Sequence, residues 1–127
     1  MSPSRRSRRP QAPEGEDALL RWLARQEGTD GLIGDDAAIL PGIGRVVTVD
    51  SQIAGTHFPA DLDPGVVARR LLAVNLSDVA AMGAQPTHAF LAVSAPPDFP
   101  HRRFLRAFLA RARVHHVVLA GGDVASS

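Results

Sequence analysis

The sequence contains no cysteine, no lysine and no tyrosine. The first absence excludes a disulfide framework, a thiolate metal site and a cysteine nucleophile. The second means that all 14 basic residues are arginine. Schiff-base chemistry is therefore excluded, as are phosphate-binding loops and protein-kinase cores built around a lysine. Any nucleotide chemistry in this chain must recruit its positive charge from elsewhere. Long apolar runs are missing too, so no segment reads as a membrane-spanning helix. The basic N-terminus lacks the apolar stretch of a secretory signal, and a cytoplasmic location without membrane partners is expected.

What remains is ordinary for a globular protein. The 127 residues are 45% hydrophobic and 21% charged, enough for one domain with a real core. The net charge of +1 is unevenly spread. Arg5, Arg6, Arg8 and Arg9 crowd the first ten residues without an acid among them. Residues 1–15, rich in Pro, Ser, Arg and Gly, read as a disordered basic leader, and residues 16–127 as the folded domain. Such a leader can hold nucleic acid, but nothing after residue 9 interleaves aromatics with basic residues, so nucleic-acid binding is not expected.

Periodicity and punctuation predict the elements in turn. Glu16 to Glu27 forms a helix with Leu19, Leu20, Trp22 and Leu23 on one stripe, stopped by Gly28. Thr29 to Gly34 is a loop delivering Asp35 and Asp36. Ala37 to Leu40 is a short apolar run, turned by Pro41-Gly42 into a β-branched strand from Arg45 to Asp50. Asp63 caps a helix opened by Pro64 and running to about Met82, where Gly83 ends it. Apolar nearly all round from Leu71 to Met82, that helix should be buried. Thr87 to Ala95 is a strand, His101 to about His115 an amphipathic helix, and Val117 to Ala120 a final strand leading into a Gly121-Gly122-Asp123 loop. The order α-β-β-α-β-α-β predicts an α/β (α+β) domain, a mixed sheet covered by helices on one face.

Four acids have suggestive positions. Asp36 precedes a strand, Asp50 and Asp123 follow strands, and Asp78 sits inside the apolar helix. Strand-end acids are often turn residues or caps. A carboxylate on a mostly buried helix, by contrast, costs several kcal/mol unless it is paired, protonated or bound to metal. The structural alternative for Asp78 is a salt bridge to Arg69, Arg70 or another arginine. Asn75 lies one turn earlier on the same side, so Asn75 and Asp78 can face a common site. Were Asp36, Asp50, Asp78 and Asp123 to converge, they would form an all-oxygen site suited to Mg²⁺, with room for more than one ion. Such ions can bridge nucleotide phosphates and neutralise charge during phosphoryl transfer, a route to ATP that needs no lysine. Gly121 and Gly122 would allow a ligand close to the backbone before Asp123.

Taken together, GDDAAIL (34–40), TVDSQIAGTHF (48–58), NLSDVAAMGAQP (75–86) and LAGGD (119–123) resemble, in order, the N-terminal domain of bacterial thiamine-phosphate kinases, within the aminoimidazole ribonucleotide synthetase-like superfamily. The resemblance implies ATP-dependent phosphorylation of thiamine phosphate to thiamine diphosphate by direct, magnesium-assisted transfer. It implies a homodimer paired through the N-terminal sheets, and a C-terminal domain forming the other wall of the cleft, which these residues do not include. By motif matching it makes Asp36, Thr48, Asp50, Asp78 and Asp123 magnesium positions. His57 becomes a thiamine-phosphate contact, and Gly122 and Asp123 nucleotide contacts; the resemblance names no catalytic base. Two positions depart from the pattern: Val124 follows GGD where hydroxyl residues are common, and Val49 is central in TVD where relatives often carry threonine. Selenophosphate synthetases share the acidic helix but bring a reactive cysteine and a lysine loop, both absent here. The competing reading is a non-catalytic dimerisation or assembly module derived from such a kinase.

Overall fold

The computed structural model describes residues 15–29, 31–34, 37–42 and 44–127. The arginines of the expected leader and the pair Asp35-Asp36 lie outside the described residues. The chain divides into two units, Met1–Gly34 and Asp35–Ser127.

In the first unit, helix α1 (Glu16–Ala24) carries Glu16 and Asp17 in its first turn, where carboxylates suit the helix dipole. It ends three residues short of the expected Glu27. In its last turn the carbonyls find other donors: the Gln26 side chain donates to Trp22 O at 2.9 Å, and the Thr29 hydroxyl lies 2.8 Å from Leu23 O. These side-chain bonds close the helix before Gly28, which follows at φ 86°. The apolar stripe exists, but no α1 residue is buried.

The second unit opens with a hairpin. Strand β1 (Ala38–Leu40) pairs antiparallel with β2 (Arg45–Val47), Ile39 facing Val46 across the ladder. Helix α2 (Pro64–Ala81) begins as the sequence predicts. Pro64 stands in the first turn, and the Asp63 carboxylate accepts from Gly65 N at 3.0 Å. Gly83, at φ 67°, ends it. Strand β3 (His88–Ala95) alternates strictly: Leu91 and Ala95 are buried, while His88, Phe90, Ala92 and Ser94 face out. Helix α3 (His101–Val114) buries Phe104, Phe108 and Ala112, spaced four apart on one face.

Strand β4 (Val118–Ser126) runs parallel to β3, joined through α3. The two ladders are separate two-stranded sheets, one antiparallel and one parallel, so both strand senses occur but not in a single sheet. Val67, Ala68 and Leu72 of α2, Leu91 of β3, the buried face of α3 and Val117 form one core. Two helices therefore cover one face of the β3–β4 ladder. The α/β class and the order of elements agree with the sequence pattern.

Two expectations fail in detail. The second half of α2 is not buried: its buried residues are Gly65, Val67, Ala68 and Leu72, and none follows. Its apolar residues are mostly Ala and Val, partly buried or exposed, with Leu76 packed against the core. Nor is Gly121-Gly122-Asp123 a loop, since β4 continues through it to Ser126. An irregularity between Ala89 and Phe90 in the pairing leaves Ala120 unpaired, after which Gly121 pairs with Phe90 and Gly122 with Leu91. A Cβ on Gly122 would stand 1.8 Å from the Leu91 carbonyl oxygen. The close backbone approach that glycine permits is made to β3, not to a ligand.

Candidate functional site

Strand β2 ends at Val47, yet the chain beyond it does not wander. The side-chain amide of Asn75 takes over. Asp50 N donates to Asn75 Oδ1 at 2.9 Å, and Asn75 Nδ2 donates to Asp50 O at 3.2 Å. One residue of the loop thus exchanges both backbone bonds with a side chain, as a paired residue would in an antiparallel ladder. The second hydrogen of Nδ2 goes to Leu71 O at 2.9 Å, one turn back on α2. These bonds fix the amide's orientation, because flipping it would set oxygen against two carbonyls. Fixing the backbone of one loop residue costs about 1–2 kcal/mol, which the paired amide bonds offset.

The same helix holds the far end of the loop. Arg70 Nη2 donates to His57 O at 3.2 Å. Within the loop, Ile53 N donates to His57 Nδ1 at 2.8 Å, and His57 N returns a bond to Ile53 O at 2.8 Å. Gly55, at φ 79°, lets the chain turn tightly enough for its N–H to reach Phe58 O at 2.7 Å. An imidazole nitrogen that accepts an N–H carries no proton, so His57 is held as the Nε2–H tautomer. Its remaining ring nitrogen is a donor.

Asp78 follows Asn75 by three positions and therefore lies on the same side of α2. It is half-buried, and the salt bridge that would explain it away does not form. Among the described residues the one ion pair joins Arg103 to Asp63. Arg70 is engaged with the loop instead, and the carboxylates of Asp50, Asp78 and Asp123 have no basic partner there. Asn75 thus brings Asp50 into the neighbourhood of Asp78. Thr48, half-buried, and Val49, 90% exposed, lie on the approach to that junction.

Asp123 stands apart. It pairs in register with Ala92, and so shares the face of Phe90 and Ala92, opposite the one that the core covers. That face is open, with Phe90 77% exposed. Gly122 turns toward the covered side, packed against Leu91. Asp36 lies outside the described residues. Among the described residues no group of three or more His, Asp or Glu side chains is gathered closely enough to share a metal ion. Asp50, tied to α2 by its backbone, and Asp78, one turn on from Asn75, carry carboxylates without an ion-pair partner among the described residues, oxygen groups of the kind a hard divalent cation uses.

Sequence reasoning placed Asn75 beside Asp78 but not its grip on the Asp50 backbone. It missed altogether the Arg70 strap and the bond that sets the His57 tautomer. An amide inside an otherwise apolar helix was the available signal for the first. The others depend on loop geometry that has no period. No described helix is long and apolar enough to cross a membrane.

Comparison with known proteins gives one consistent answer. Residues 34–127 match the profile of the AIR synthase related protein, N-terminal domain. The chain is 38% identical over 120 residues to the thiamine-monophosphate kinase of Corynebacterium glutamicum, covering 88% of this chain and 36% of that protein. It is 41% identical over 115 residues to the same enzyme of Caulobacter vibrioides, covering 86% and 33%. Among solved structures, AaThiL complexed with AMPPCP and TMP superposes with a TM-score of 0.80 at 26% identity, over 89% of this chain and 38% of that one. The chain spans about a third of the length of these curated relatives, 36% and 33%.

Proposed function

The chain belongs to the AIR synthase related family, as its N-terminal domain, and we propose that it carries the cation- and nucleotide-handling part of a thiamine-phosphate kinase. The reaction is transfer of the γ-phosphate of ATP to thiamine phosphate, giving thiamine diphosphate, in a cytoplasmic setting. The observation that carries this reading is the Asn75 amide, which ties the Asp50 backbone to α2 one turn before Asp78, both aspartates lacking an ion pair among the described residues. Its support from relatives is the name thiamine-monophosphate kinase borne by the Corynebacterium and Caulobacter proteins, and AMPPCP and TMP bound by AaThiL.

In this reading Asp50 and Asp78 would hold Mg²⁺; Asp36, Thr48 and Asp123 are the further magnesium positions that the family resemblance names, Asp123 lying on the outer face of β4. Bound there, the metal neutralises phosphate charge during transfer and aligns the nucleotide. The chain's own part is positional. The Asn75 amide keeps Asp50 on α2, and Arg70 keeps His57 at the loop's far end. His57 offers its Nε2–H to a phosphate oxygen of thiamine phosphate, with no proton transferred. Of the two nucleotide contacts that the resemblance names, Asp123 would contribute from the open face of β4, while Gly122 is packed against Leu91. Phosphoryl transfer asks a protein mainly for positioning and charge, so a site without a general base is chemically sufficient.

The open face of the β3–β4 ladder supports a homodimer paired through this sheet, since Phe90 and Val118 are 77% and 57% exposed on it. A non-catalytic assembly module would use the same face, and turnover separates the two. The deciding experiment is AMPPCP binding with and without Mg²⁺, in the wild type and in Asp50→Asn, beside an assay for ADP formed on adding thiamine phosphate. Mg²⁺-dependent affinity should fall about tenfold or more in the variant, the effect expected when a charged partner is lost. Equal affinity overturns the cation site, and a dimer that binds nucleotide without forming ADP favours the assembly module.

A further inference from the structure

We propose that Asn75 is a positioning residue that sets the cation affinity of Asp50 and Asp78 while taking no part as a ligand. The inference rests on the cation reading of those carboxylates. Three hydrogen bonds carry it: Asp50 N to Oδ1, and Nδ2 to both Asp50 O and Leu71 O. Both amide hydrogens are spent on carbonyls, and the oxygen accepts the Asp50 N–H, which fixes the amide toward the loop backbone. An amide so engaged has turned its polar atoms to the backbone, leaving the carboxylates of Asp50 and Asp78 as the groups free to meet a cation.

The chemistry explains why asparagine stands here. Aspartate has no N–H to give the two carbonyls and would add a third negative charge beside two others. Serine has a single donor and falls short of Asp50. Leucine matches the volume but makes none of the bonds. Without the clamp, Asp50 lies beyond the end of β2 at Val47, in a loop whose far end is held to α2 by Arg70, and its own backbone loses both of its bonds to the helix. Cation affinity then falls because the carboxylate must be gathered from a broader set of positions before it can bind. Partners that orient a metal's ligands without touching the metal typically account for 10–100-fold in affinity.

The test uses the 127-residue chain with Mn²⁺ as the probe, followed by electron paramagnetic resonance, and amide hydrogen exchange at Asp50. The variants are Asn75→Ala, Asn75→Leu and Asp50→Asn, each first checked for cooperative thermal unfolding. Both Asn75 variants should bind Mn²⁺ about 10–100-fold more weakly. Both should exchange the Asp50 amide faster by roughly tenfold, as expected for one lost hydrogen bond. The leucine variant guards against a packing explanation and against an alanine variant that fails to fold, since it keeps the volume and removes only the bonds. Recovery of wild-type Mn²⁺ affinity in Asn75→Leu overturns the proposal. So does wild-type affinity in either Asn75 variant when Asp50→Asn has lost it. If Asp50→Asn itself binds Mn²⁺ like the wild type, the cation reading fails, and the role proposed for Asn75 falls with it even where Asp50 exchange accelerates.

Discussion

The first half of α2 buries Gly65, Val67, Ala68 and Leu72 against α3 and β3, whereas its second half buries none of its residues and carries Asn75 and Asp78. Both halves are mostly apolar in sequence, so composition alone does not separate them. The difference lies in which residues have neighbours. Val67, Ala68 and Leu72 meet Phe104, Phe108 and Leu91 in one core, where each side chain's removal leaves a void. Asn75 meets backbone instead, and Asp78 meets no base among the described residues. One continuous helix thereby anchors a chemical junction to a packed core, so that the carboxylates inherit the rigidity of α2 without being buried by it.

The largest expected effect concerns a residue that sequence reading assigned to the site. Gly122 was expected to open the backbone to a ligand, but its φ of 154° and the 1.8 Å approach of a built Cβ to Leu91 O tie it to the fold. In Gly122→Ala the β3–β4 ladder must part or shift, since backbone cannot yield as a flexible side chain does. Stability should fall by at least about 3 kcal/mol, a substantial share of the 5–15 kcal/mol typical of a domain. Urea unfolding measures it, with the midpoint moving and the slope kept. A variant of wild-type stability would return Gly122 to the ligand side of the comparison.

How much of this was legible in the sequence follows the same division. Element order, the Asp63–Pro64 start of α2, its Gly83 stop and the Phe104–Phe108–Ala112 face were all readable, because each depends on neighbours within a few positions. The incomplete burial of α2 beyond Leu72 was misjudged because periodicity reports which residues are apolar, not whether another element is there to cover them. The extension of β4 through Gly121-Gly122-Asp123 was hidden for a related reason. Two glycines read as a turn unless the pairing strand is known, and the fit of Gly122 against Leu91 is a contact across 31 positions. The candidate site was legible as a set of residue types. Its assembly was not, since the Asn75–Asp50 bonds span 25 positions.

Within α2 itself, Leu72→Ala and Val79→Ala sharpen the contrast between halves. Leu72 is 3% exposed and lies in the core. Its truncation should cost about 2–5 kcal/mol, the transfer term plus the cavity left behind. Val79 is only half-buried, and its truncation should cost about 1 kcal/mol or less. Thermal unfolding of the pair gives both numbers under one condition. Equal losses would mean that the second half of α2 is covered in solution, and a protein-concentration dependence of the Val79→Ala midpoint would identify a second copy as the cover.

The smallest expected change in stability is also the most informative about chemistry. Asp78 makes no ion pair among the described residues and stands on the side of α2 that holds Asp50. Neutralising it in Asp78→Asn removes no ion pair among the described residues. Without divalent cations its stability should stay within about 0.5 kcal/mol of the wild type, the range of surface substitutions that break no named interaction. Adding Mg²⁺ then separates the proteins. A ligand that binds only the folded state raises stability by RT ln(1 + [L]/Kd), about 2.7 kcal/mol at a hundred times Kd. The wild type should gain along that curve, and Asp78→Asn should gain markedly less. Loss of stability in the variant without Mg²⁺ would mean that Asp78 serves the fold, and the boundary between the two halves of α2 would have to be drawn beyond it.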